Sequence, residues 1–128
     1  MVIALDTNIV IDFLSGEKSV VSYLKQFTKL ILPVTVVGEL LFGAYNSLAE
    51  NNLKKTLLFI NNCHILPIDK EAAAFYGQIR LKLKQAGTPI PENDIWIAAT
   101  VTASKLTILT RDKHFALLPD IVQVKILQ

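Results

Sequence analysis

Two short apolar runs in this chain stop at polar turns that carry an acid. Val2–Leu5 ends at Asp6 in the stretch LDTN, and Thr107–Leu109 leads into Thr110, Arg111 and Asp112 in LTRDKHF. Each run is too short for a helix and suits a strand buried on both faces. The stretches between such runs carry helical periodicity. Ile9, Ile11, Phe13 and Leu14 continue from Asp6 as a short helix that stops at Gly16, and a second helix is expected over Ser19–Phe27 before the β-like run Leu30–Leu32. Thr35 is placed to cap a third helix whose stripe is Val36, Val37, Leu40, Leu41 and Ala44.

Further along, a helix over about Asn52–Ile60 precedes a strand from His64 to Ile68. Lys70–Gln85 is the clearest amphipathic segment, with Phe75, Ile79 and Leu83 on one face and Gly87 at its end. The stiff loop Thr88-Pro89-Ile90-Pro91 then delivers Asn93, as cap, and Asp94 to a helix ending near Ser104, and Val122–Leu127 closes the chain as a strand. Strands alternating with helices predict an α/β fold, a mainly parallel central sheet covered on both faces, with 128 residues forming one domain. Ligands of such sheets collect beyond the carboxyl ends of the strands. Asp6 and Asp112 belong there, with Glu39 of TVVGEL and Asp94 of ENDIWIAA offered by neighbouring helices.

Four converging carboxylates are costly. Like charges about 4 Å apart repel by roughly 4 kcal/mol per pair at an effective dielectric of ~20. Such a cluster takes up protons or binds a cation, and Mg2+ or Mn2+ suits carboxylate and water oxygens. Each acid also has a local explanation: an N-cap for Asp6, the helix dipole for Asp94, a turn for Asp112. Glu39 has none, because the capping-box position three residues after Thr35 is Gly38. That glycine also leaves space for another backbone or a substrate to approach.

The net charge is only +2, but setting the four acids aside leaves 13 basic residues against 7 acidic ones, or +6 for the remaining surface. A negative pocket in a mildly basic surface suits a polyanion. Arg111, Lys113, Lys82 and Lys84 are the candidates to hold its backbone, and Trp96 and Phe115 are aromatic residues of the kind that stack on bases, with packing the simpler role for both. The single cysteine, Cys63, excludes disulfide frameworks and cysteine-rich zinc sites and is expected as a buried thiol. No G-x-x-x-x-G-K-[ST] loop or G-x-S-x-G motif is present.

The richest apolar stretch, Leu30–Phe42, is interrupted by Pro33, Gly38 and Glu39, so no membrane span is expected, and an acid at Asp6 argues against a signal peptide. A cytoplasmic protein is expected. A hydrophobic fraction of 52% and a mean hydropathy of +0.42 exceed the needs of one small core. The surplus predicts a homodimer and a small protein partner, through helices carrying Val20, Leu24, Leu41, Phe42, Tyr45 and Leu57.

The order DTN, GEL on a helix, NDIWIAA and LTRDKHF, together with HILPID before the long helix, resembles the PIN domain ribonucleases, and among them the VapC-type toxins of toxin–antitoxin modules. The resemblance covers nearly the whole chain. It implies a three-layer α/β/α sandwich, Mg2+ or Mn2+ dependence, endonuclease cleavage of RNA with tRNA or rRNA as target, and an antitoxin partner. By matching motifs, Asp6, Glu39, Asp94 and Asp112 take the catalytic, metal-binding positions, with Thr7, Asn8, Asn93 and Thr110 supporting them. Two readings compete: a catalytically silent PIN-like module that binds RNA or protein, and a phosphate-handling receiver domain. Stability alone rarely needs four charges at one site, and a receiver needs an adjacent acidic pair after strand one, where this chain has a single acid.

Overall fold

A computed structural model describes all 128 residues. Its elements run β1 (Val2–Leu5), α1 (Thr7–Leu14), α2 (Lys18–Leu24), β2 (Lys29–Pro33), α3 (Val34–Tyr45), α4 (Glu50–Asn61), β3 (His64–Leu66), α5 (Lys70–Ala86), α6 (Glu92–Ala103), β4 (Thr107–Thr110), a 3-10 helix (Lys113–Leu117) and β5 (Gln123–Ile126). The five strands form one sheet in the order β3-β2-β1-β4-β5, and every pairing is parallel. The register sets Ala4 against Ile31 on one side and Ile108 on the other.

Strand order decides where the helices lie. The chain steps outward from β1 to β2 to β3, then returns past β1 to β4 and β5, and parallel crossovers are right-handed. Reversing the direction of travel therefore sends α5 and α6 to the face opposite α1–α4. The result is a sheet wound on both sides with its switch point between β1 and β4, where a crevice opens beyond the strand ends.

The core follows from burial of both sheet faces. Ile3, Ala4 and Leu5 of β1 and Ile108 and Leu109 of β4 lie within one cluster of 25 buried residues that draws on every strand except β5. Val36 and Leu40 present the stripe of α3 to it, and Ile79 and Leu83 that of α5. The pattern of α6 is different, since seven of its residues, Ile95 and Ile97–Thr102, are buried. A helix buried all round carries little periodicity. Thr100 and Thr102 satisfy their hydroxyls on the carbonyls of Trp96 and Ala98, both at 2.7 Å.

Several boundaries depart from expectation for physical reasons. Thr35 is not a cap: α3 starts at Val34 directly after Pro33, with no side-chain cap bond. Asn93 is likewise inside α6, which starts after Pro91, a residue whose fixed φ leads the chain into the first turn. The second helix ends at Leu24 rather than Phe27, and β3 ends before Pro67. Gly16 and Gly87 adopt φ of 80° and 69°, the left-handed geometry that stops α1 and α5 as anticipated. Two glycines of α3, Gly38 and Gly43, are mid-helix and exposed, where each costs about 0.8–1 kcal/mol relative to alanine. No helix is long and apolar enough to cross a membrane.

Candidate active site

The crevice at the switch point is built first by backbone. The amide of Asp6 donates to the carbonyl of Leu109 at 2.9 Å, so the residue that ends β1 is tied to β4. Asp6 also begins α1, its Oδ1 accepting from the Thr7 amide at 2.8 Å, and only 4% of its surface is exposed. The opposite oxygen, Oδ2, accepts from the Thr110 hydroxyl at 2.6 Å and from the Asn8 amide group at 3.5 Å. Thr110 is fully buried and serves two acids, since its Oγ1 accepts from the Asp112 amide at 3.0 Å. Asn8 returns the support to β4 through its Oδ1, which accepts from the Arg111 amide at 3.1 Å.

Glu39 reaches this crevice from α3. Its Oε1 accepts from the Thr7 hydroxyl at 2.6 Å and its Oε2 from the Asn93 amide at 3.4 Å. That second bond joins helices belonging to opposite faces of the sheet. Asp94 follows in the first turn of α6, and Asp112 caps the 3-10 helix, accepting from the His114 amide at 2.9 Å. The predicted acids Asp6 and Glu39 and the predicted supports Thr7, Asn8, Asn93 and Thr110 are thus joined by hydrogen bonds between α1, α3, α6 and β4, with Asp112 tied to Thr110 through its amide and Asp94 adjoining Asn93.

Electrostatics agree with that geometry. Burial pushes the Asp94 carboxyl up to about 6, with the charges of Asp6, Asp112 and Glu39 adding to the effect and His114 opposing it. Asp6 is also raised, chiefly by burial, against the hydrogen bonds from Thr110 and Thr7. Burial and neighbouring carboxylates together therefore disfavour the ionised form of both acids. No three His, Cys, Asp or Glu side chains stand close enough together to enclose an ion by themselves. Mg2+ does not ask for that, because it keeps several waters and takes one or two carboxylates.

The basic residues divide. Lys113, Lys82 and Lys84 are exposed. Arg111, expected at the RNA-binding rim, is instead committed elsewhere: its Nε lies 3.2 Å from Asp12, and its Nη2 binds Glu17 and, at 2.8 Å, Ser19. Its guanidinium closes the turn between α1 and α2 onto the end of β4. Sequence gave no signal for this clasp, since about a hundred residues separate its partners. A second unforeseen device fixes the start of α6. Tyr76 of α5 stacks on Trp96 with centroids 3.9 Å apart and its hydroxyl binds Glu92, while Arg80 bonds the same hydroxyl at 2.6 Å. That clamp holds the turn carrying Asn93 and Asp94, and it places Trp96 in packing. Phe115 is 1% exposed and belongs to the core. Cys63 is half-buried, and burial pushes its thiol up to about 11.

The expected apolar surface needs correction. Val20 and Leu24 are buried core residues, because α2 packs its apolar side inward. Leu41 is partly buried against the core, whereas Phe42, Tyr45, Leu48, Leu57 and Leu58 are exposed. The helices α3 and α4 and the link between them thus carry several of the exposed apolar side chains, with others such as Ile11 and Leu81 on different helices.

A doubly wound parallel α/β fold with acids at its switch-point crevice defines a class of acidic sites whose hard oxygen donors suit a cation. Comparison with known proteins narrows it. The PIN domain matches residues 3–121. Toxin FitB of Neisseria gonorrhoeae is 33% identical over 121 residues, covering 86% of this chain and 87% of that protein. The tRNA(fMet)-specific endonuclease VapC of Salmonella typhimurium is 33% identical over 73% of each chain. The crystal structure of DNA-bound VapBC from Salmonella typhimurium superposes with a TM-score of 0.89 at 28% identity, covering 98% of both chains. The chain belongs to the PIN domain family, in the VapC-like group that these relatives represent.

Proposed function

We propose that this chain is a divalent-metal-dependent endoribonuclease that acts as one cytoplasmic domain and serves as the toxin of a toxin–antitoxin pair. The convergence of Asp6, Glu39, Asp94 and Asp112 on the switch-point crevice carries the reading, with the relatives' names as its second support. A dication fits the donor set. The donors are hard oxygens, and the carboxyls of Asp6 and Asp94, raised first by burial and then by neighbouring acids, are groups whose ionised form a bound cation would favour. Asp6 and Asp94 would hold Mg2+ or Mn2+, with Glu39 and Asp112 completing the site directly or through water. When bound, the ion supplies Lewis-acid charge at the phosphate and acidifies water for attack.

The chain's own residues do the positioning. Thr110 fixes one oxygen of Asp6, while Thr7 and Asn93 fix both oxygens of Glu39, which leaves that carboxylate oriented to accept a hydrogen bond from the attacking water. Lys113, Lys82 and Lys84 hold the RNA backbone, with tRNA as the target that one relative's name suggests. The experiment is cleavage of RNA by the purified chain with Mg2+ or Mn2+, stopped by EDTA and restored by excess metal. RNA binding without cleavage under either ion would favour the silent binding module instead.

We further propose that the exposed apolar patch of α3 and α4, around Tyr45, Leu48, Leu57 and Leu58, is covered by a second copy of the chain and by a small antitoxin. Light scattering at micromolar concentration is expected to report about twice the 14.2 kDa chain mass. A monomer at that concentration refutes the dimer.

A further inference from the structure

Gly38 is unexplained by anything inside the chain. A Cβ built there meets no atom within 4 Å, so no internal packing requires glycine, and alanine would suit the helix better. Gly43 on the same helix is equally open. Their surroundings differ. Gly38 lines an open depression of about 600 Å3 together with Thr35, Glu39, Phe42 and Asn93, beside the acidic crevice. Phe42 stands one turn beyond Gly38 with 71% of its surface exposed.

The lining dictates what can sit there. No cationic side chain contributes, and Glu39 does, which disfavours a phosphate. Four of the five residues are polar or glycine, which suits an apolar protein segment poorly. A neutral, flat group with polar edges fits: Phe42 offers an aromatic face, and Thr35 and Asn93 offer hydroxyl and amide groups. We infer that this depression is a subsite for one unstacked nucleobase of the RNA, stacked on Phe42 and bonded at its edge by Thr35 or Asn93, with Gly38 leaving the clearance that brings it beside Glu39. The inference rests on the ribonuclease reading and extends it from the reacting phosphate to the neighbouring nucleotide.

Substitutions of opposite sign make the test. With the purified chain, Mn2+ and a single-stranded oligoribonucleotide, Phe42→Leu is expected to raise KM about 10-fold or more, while Phe42→Trp stays near wild type, because stacking on an aromatic ring is lost only in the first. Gly38→Ala is expected to raise the thermal midpoint by about 2–5 °C and yet raise KM several-fold. Gly43→Ala should gain a similar midpoint with KM unchanged. An active wild type whose Gly38→Ala and Phe42→Leu variants keep its KM overturns the subsite alone. If those variants cleave normally but escape inhibition by the antitoxin, the face belongs to the protein partner and the subsite is likewise rejected. A wild-type chain that cleaves no RNA overturns the ribonuclease reading and the subsite with it.

Discussion

Asp94→Asn is expected to lower RNA cleavage on the order of 10³-fold while making the metal-free protein more stable at pH 8. The activity loss follows from removing a carboxylate that holds the ion, whose charge stabilisation is worth several kcal/mol in such reactions. The stability gain follows from linkage. Asp94 titrates near 6 in the folded chain against 3.8 as its ordinary value, so the folded state binds the extra proton. Folding is therefore helped below about pH 4, and the help is lost as pH rises through 6. The full shift would correspond to about 3 kcal/mol, and partial exposure to solvent reduces this to about 1–2 kcal/mol. Asparagine carries no charge at any of these values. The advantage of the variant should thus be largest at pH 8 in EDTA, shrink towards pH 4, and shrink again when Mg2+ returns to the wild type. Urea unfolding at the two pH values measures it. Wild-type cleavage by the variant would remove Asp94 from the site, and a variant less stable than wild type at pH 8 would show that its carboxylate helps to hold the fold.

Thr110→Val should cost about 10–100-fold in activity and about 1–3 kcal/mol in stability, despite preserving shape. The hydroxyl is fully buried and spans two acids, donating to Asp6 at 2.6 Å and accepting from the amide of Asp112 at 3.0 Å. Valine leaves that amide without its partner and Asp6 without its strongest donor, and an unsatisfied buried polar group costs about 1–3 kcal/mol. With the hydrogen bond gone, burial and the neighbouring acids push the Asp6 carboxyl higher still, so metal affinity should fall more at pH 6 than at pH 8. Manganese titrations at the two pH values test this directly. Equal losses at both would show that Thr110 acts only through packing. Thr110→Ser, which keeps the hydroxyl, should retain most of the activity.

Much of this site was legible as a list of residues but not as a network. Glu39 stood out because no capping role was available to it, and the acids at Asp6 and Asp112 stood out because they end apolar runs. Which donors hold them was settled by contacts such as Thr110 to Asp6, 104 positions apart. Arg111 shows the limit most clearly. Its charge and its place beside Asp112 suggest a phosphate contact, yet Asp12 and Glu17 take up the guanidinium, a pairing that no local pattern records. Phe42 and Val20 make the same point for surface and core. Both are apolar residues on apolar helices, and only packing left one exposed and buried the other.

The sequence by itself determined the α/β alternation, the parallel sheet and the positions of the four acids, because strand burial, helix periodicity and turn chemistry act over a few residues at a time. The tertiary structure alone decided the strand order, and with it the reversal between β1 and β4 that brings Asp6 and Asp112 to one crevice. It also decided that α3 and α6, from opposite faces, meet over that crevice through Glu39 and Asn93. The physical reason is that order and crossing are set by how whole faces pack against one another, a long-range energy to which each residue contributes only a little.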